Sequence, residues 1–250
     1  IRTVPGVSVI ERRGFEDAPG WFEDRLEPIR SDAPAQIAFS SGTTGRPKAL
    51  LLSHRALSDV VDRVNAAMGI DETIREYIGV PVTFSFGFGR ARAVATAGGR
   101  SYLPAHGFDP LEIARMLEAD EINAVSAVPT LWRVVLNNPE IIGKAGEKVR
   151  WIEIGSQYMS GAEKAGMKRL FPNARIVQHY GLTEASRSTL LDITATEGAA
   201  LESVGFQTRD LLEAMAADWQ ADGAGDVLRV DGGMVASDYT MQFLADVLGA

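Results

Sequence analysis

The chain has no cysteine, only three histidines, and no apolar run long enough to cross a bilayer. Without cysteine there are no disulfides, thiolate nucleophiles or cysteine-ligated metals. His54, His106 and His179 are too scattered in sequence to form a metal-binding spacing. No secretory leader is visible, and the chain is read as soluble and cytoplasmic. Positive charge is also in short supply: 25 Lys and Arg against 33 Asp and Glu give a net charge of -8. That balance argues against nonspecific nucleic-acid binding and against a basic membrane-facing patch. What is present in ordinary amount is apolar residue, 46% of 250, enough for a packed core in one large domain or two small ones.

The most informative stretch is Ser40-Ser41-Gly42-Thr43-Thr44-Gly45-Arg46-Pro47-Lys48. Apolar runs flank it (Ile37 to Phe39, then Ala49 to Leu52), so it reads as a loop joining two strands. Its two glycines allow backbone conformations closed to other residues. Hydroxyls from Ser40, Ser41, Thr43 and Thr44 can donate to phosphate oxygens, and Lys48 adds a positive charge. The alternative is a polar hairpin turn, but turns seldom combine so many donors with a lysine. It is not a Walker A sequence, because Lys48 follows Pro47 and precedes Ala49 instead of ending Gly-Lys-Ser/Thr before a helix.

These nine residues resemble the phosphate loop of the AMP-forming adenylating enzymes: acyl-CoA synthetases, luciferases and the adenylation domains of peptide synthetases. One departure is Ala49, where that family usually has glycine. Weaker landmarks run from about Pro34 to Gly205: Phe86-Gly-Phe-Gly89, Val128-Pro-Thr-Leu131, Gly155-Ser156 and Glu202-Ser-Val-Gly205.

Periodicity gives the elements between these landmarks. A short strand is expected at Val7 to Ile10, then an acidic segment to Pro34. Ser53 caps a helix over 54–68, with Leu57, Val60, Val61, Val64 and Met68 at helical spacing. A strand-like run, Tyr77 to Val82, leads into the glycine-interrupted Phe84 to Gly89. Further helices are expected from Asp109, from Pro129 to Leu136 and from Ser160 to Leu170. Strands are expected at Asn123 to Val128, Trp151 to Ile154 and Arg175 to His179. Strands alternating with helices predict an α/β fold with much parallel pairing. With the resemblance, this implies layered parallel-sheet subdomains of an adenylating-enzyme large domain.

The second constellation is Tyr180-Gly181-Leu182-Thr183-Glu184, directly after the strand ending at His179. Ligands of open α/β sheets bind outside the carboxyl ends of strands. An aromatic face, a glycine, a hydroxyl and a carboxylate suit a base, a close approach, a phosphate and a metal. Alone the five residues are a weak signal; about 130 residues beyond the phosphate loop, they are a strong one. The resemblance implies that Tyr180 stacks on adenine, Thr183 bonds the α-phosphate and Glu184 holds Mg2+. Gly155-Ser156 resembles the segment bordering adenine, and reads equally well as a plain strand-end turn. Phe86 stands where many members carry a histidine beside the acyl pocket, and is expected to be pocket wall. His54 and His179 are read as structural or solvent-facing, without a partner that would make either a base.

The implied chemistry is ATP-dependent activation of a small-molecule carboxylate as an acyl-adenylate, with ATP and Mg2+ bound and coenzyme A as acceptor. The residues implied to carry it are Lys48, Thr183 and Glu184, with Ser41, Gly42, Thr43, Thr44, Gly45, Gly155, Ser156, Tyr180 and Gly181 binding nucleotide.

After Gly205 the resemblance changes. Phe206-Gln-Thr-Arg-Asp210, Leu228-Arg-Val-Asp-Gly-Gly233 and Met241-Gln-Phe-Leu-Ala-Asp246 resemble the glycerol kinases of the sugar-kinase, actin-like ATPase superfamily. A helix over 206–218, a strand over 227–230 and a helix over 237–248 are expected there. The kinase phosphate-binding turn and catalytic aspartate have no counterpart, so a kinase fragment is the weakest functional reading. The chain is thus read as 1–205, a partial AMP-binding domain, joined to 206–250, a glycerol-kinase-like piece. Both ends read as cut, and a fused reading frame or a non-catalytic nucleotide-binding fragment is the alternative to a ligase of low activity.

Overall fold

In the computed structural model, the described residues are 30–40, 48–155, 157–181, 183 and 185–202. The expected strand at Val7 to Ile10 and the three elements of 206–250 lie outside them.

Strands β1 (Pro34–Ser40) and β2 (Lys48–Ser53) form an antiparallel pair of their own, closed where Ser40 faces Lys48. Helix α1 (His54–Met68) begins where Ser53 Oγ accepts from the Ala56 amide, and it stops at Gly69 in the left-handed region.

A six-stranded sheet follows, in spatial order β4-β3-β5-β6-β7-β8. Its strands are β3 (Arg75–Ile78), β4 (Arg100–Tyr102), β5 (Ala124–Ala127), β6 (Trp151–Gly155), β7 (Arg175–Tyr180) and β8 (Thr189–Asp192). All neighbours are parallel except β8, which returns antiparallel beside β7. The connecting helices are α2 (Ser85–Thr96), α3 (Pro110–Glu118), α4 (Pro129–Asn137), the short α5 (Pro139–Ile142) and α6 (Gly161–Leu170). Asp109 caps α3, and Ser160 with Glu163 forms a capping box on α6.

Alternation along the strands sends side chains to two faces. Tyr77, Val125, Ile152 and Ile176 pack with Ile113, Leu117, Trp132 and Met167 of α3, α4 and α6. On the opposite face Ala124, Trp151 and Val177 pack with Val64 and Met68 of α1 and Val94 of α2. The result is the expected α/β fold with a parallel-rich sheet between helical layers.

One expectation shifts. The strand expected over 77–82 ends at Ile78, because Pro81 and the Phe84 amide bonded to its carbonyl turn the chain. The glycine-interrupted run, which carries no element expected from the sequence, opens α2. Gly87 is there for space: a Cβ would lie 2.4 Å from the Val80 carbonyl oxygen.

Candidate functional site

Three parallel strands end at one cleft of about 650 Å³. Gly79 follows β3, Val128 follows β5, and Gly181, Thr183, Ser186 and Arg187 follow β7. Strand β1 also lines the cleft, through Gln36, Ile37, Ala38 and Phe39. Strand β1, which leads into the phosphate-loop sequence, and the strand end carrying the second constellation therefore line one cavity, although more than 130 residues separate them.

Gly181 and Thr183 line the cleft. Tyr180 is half-buried at the end of β7 and is not among the lining residues. Gly155 ends β6 beneath the ring of His179. Lys48 opens β2 opposite Ser40. Ser41, Gly42, Thr43, Thr44, Gly45, Ser156 and Glu184 lie outside the described residues.

Behind the cleft is a group of buried charges that sequence reasoning missed. Glu153 of β6 accepts a 2.7 Å hydrogen bond from Arg187 Nε. Its carboxylate also lies 2.9 Å from Arg90 Nη1 and 2.6 Å from His179 Nδ1, short polar contacts without full hydrogen-bond alignment. Arg90 of α2 donates in turn to Glu76 of β3, with Nε 2.8 Å from Oε1 and Nη2 on Oε2. All five side chains are buried. Burial alone would push Glu153 up, but Arg187, Arg90 and the His179 contact hold it well below the ordinary carboxylate range. Burial, with help from both arginines, lowers His179 despite Glu153, so the ring is neutral near pH 7. Two cations and two anions then cancel.

His179 thus has a carboxylate partner, contrary to the sequence reading. It also meets Phe86 edge-on, with ring centroids 4.7 Å apart, while the Arg187 guanidinium lies 5.5 Å from the same Phe86 ring. A signal was present: Glu153 interrupts the apolar run Trp151-Ile-Glu-Ile, and its buried position demands a cation.

Thr183 and Ser186, both hydroxyl-bearing, line the cleft together with Gly181. Among the described residues, no group of three or more His, Cys, Asp or Glu stands close enough to hold a metal ion. None of their helices is long and apolar enough to cross a membrane.

A family model described as AMP-binding enzyme matches residues 6–239. The chain belongs to the AMP-binding enzyme family. Solved structures of similar fold include a malonyl-CoA ligase holding methylmalonyl-CoA and AMP. It has a TM-score of 0.63 and 23% identity, over 72% of this chain and 39% of the ligase. An O-succinylbenzoate coenzyme A synthetase from Bacillus subtilis, in complex with AMP, gives 0.58 and 23%, over 71% and 36%. A curated glycerol kinase of Cereibacter sphaeroides is 63% identical over 71 residues, covering 26% of this chain and 14% of the kinase. The chain therefore spans about two fifths of the ligases' length and about a seventh of the kinase's.

Proposed function

We propose that this family member activates a carboxylic acid as its adenylate in the cleft between β1 and the end of β7. The carboxylate oxygen attacks the α-phosphorus of ATP, the bond to the leaving oxygen breaks, and pyrophosphate departs with the electron pair. Coenzyme A is the acceptor that the resemblance implies. The observation that carries the reading is one cleft lined both by the strand leading into the first motif and by Gly181 and Thr183 of the second, within a chain matched to the family over 6–239.

In this reading Thr183 holds the α-phosphate, and the amides and hydroxyls of 41–45 with Lys48 take the outer phosphates. Gly155 and Ser156 border the base, on which Tyr180 stacks. The chemistry is positioning and charge neutralisation, with no side-chain nucleophile. Mg2+, if bound by Glu184, would add positive charge at the phosphates. Replacing Thr183 with valine removes one hydrogen bond to a charged oxygen and should weaken AMP binding about tenfold, measured by titration calorimetry. Unchanged affinity would place the nucleotide elsewhere.

The glycerol-kinase match favours a second reading, in which 206–250 is a kinase-derived segment joined to the adenylating part. The kinase match covers 26% of the 250 residues, or about 65, compared with 45 in 206–250. Sequencing the source transcript across the codons of Gly205 and Phe206 separates a joined frame from an uninterrupted one. An uninterrupted transcript would overturn the joined-frame reading.

A further inference from the structure

The acid must lie beside the α-phosphate, because reacting atoms approach to within about 3.5 Å. With Thr183 on that phosphate, the rest of the acid extends into the same cleft. There the walls are Phe39, Val82, Phe84, Phe86, Phe88 and Leu131. Several of these large apolar side chains face solvent: Phe39 is 70% exposed and Phe84 63%. Scattered single exposures are ordinary, but several apolar side chains, four of them aromatic, lining one cavity point to an apolar ligand.

The charges of the cleft support the same conclusion. Among its described lining residues Arg187 is the one cationic side chain, and its guanidinium is committed to Glu153, the Phe86 carbonyl and Ser186. A second carboxylate on the substrate would have to displace Glu153 from Arg187 inside a buried network, leaving that anion short of a partner. His179 is likewise held between Glu153 and Phe86. The described lining residues offer no unpaired positive charge to a diacid.

We infer that the cleft selects an apolar monocarboxylic acid, aromatic or medium-chain, and rejects dicarboxylic acids. This rests on the adenylation reading, and the test keeps the two apart. Sulfamoyl-adenosine probes are titrated onto the full chain with three ends: no acyl group, an octanoyl group and a succinyl group. The octanoyl probe should bind on the order of 100-fold more tightly than the succinyl one. Phe84→Ala, at an exposed wall position that does not support the core, should cut that advantage about tenfold while leaving the tail-free probe unchanged. Equal affinity of the two acyl probes, or preference for succinyl, overturns the substrate assignment and leaves adenylate binding standing. Failure of all three probes to bind overturns the adenylation reading and the inference with it.

Discussion

Replacing Glu153 with alanine should destabilise the chain by about 3–5 kcal/mol, enough to unfold a domain of ordinary stability under mild denaturant. The side chain is completely buried and is the common partner of Arg90, Arg187 and His179. Without it Arg187 loses its carboxylate altogether, and Arg90 keeps only Glu76. The loss comes from stranding buried cations, not from removing an attractive pair, since a buried ion pair contributes little net stability when intact. Urea denaturation midpoints of the two chains measure it, and a shift worth less than about 1 kcal/mol would show that water reaches the cluster. Acid should act on the same group. The folded His179 resists protonation, so stability is full above its unfolded value near 6.5 and declines as pH falls below that. Glu153 adds a second decline below its unfolded value near 4.5, and this lower step should be weaker in the alanine variant.

Gly155→Ala should cost about 1–3 kcal/mol through a collision rather than a lost interaction. A Cβ at that position would stand 2.0 Å from Cε1 and 2.3 Å from Nε2 of His179. The ring has little room to retreat, being wedged between Glu153 and Phe86. If the ring is the obstacle, Gly155→Ala should cost almost nothing in a His179→Ala background, a coupling that a double-mutant cycle of denaturation midpoints reads directly. Additive costs would mean that the backbone around Gly155, not His179, resists the methyl. Since His179 also lines the cleft, the single variant should bind AMP less well than its loss of stability alone explains.

Much of this architecture is legible in the chain because it is local. Ser53 and the apolar spacing through Met68 place α1 correctly, and Asp109, Pro129 and Ser160 mark the starts of α3, α4 and α6. The strand-loop-strand around 41–47 is legible for the same reason, and β1 and β2 flank it. Illegible parts depend on distant partners. Gly87 and Gly89 only interrupt an apolar run in the sequence, yet one admits the Val80 carbonyl and the other the Arg187 guanidinium, which is contributed 98 residues later. Strand β4 is three residues long and β8 four, too short for a period to show. The charge cluster draws Glu76, Arg90, Glu153, His179 and Arg187 from four elements and a loop, so none of them sits beside its partner in sequence.

Both motif segments share one further property. Ser40 faces Lys48 across β1 and β2, and Tyr180 faces Thr189 across β7 and β8. Each stretch is therefore a short connection whose two ends are already tethered within a ladder, before any ligand arrives. Ring closure, the entropic part of gathering such a stretch around a phosphate, is met during folding and does not weigh against binding. In the proposed adenylation reading, affinity at this cleft is thus coupled to the integrity of two pairs of strands, and fraying either pair would loosen the ligand without altering any residue that touches it.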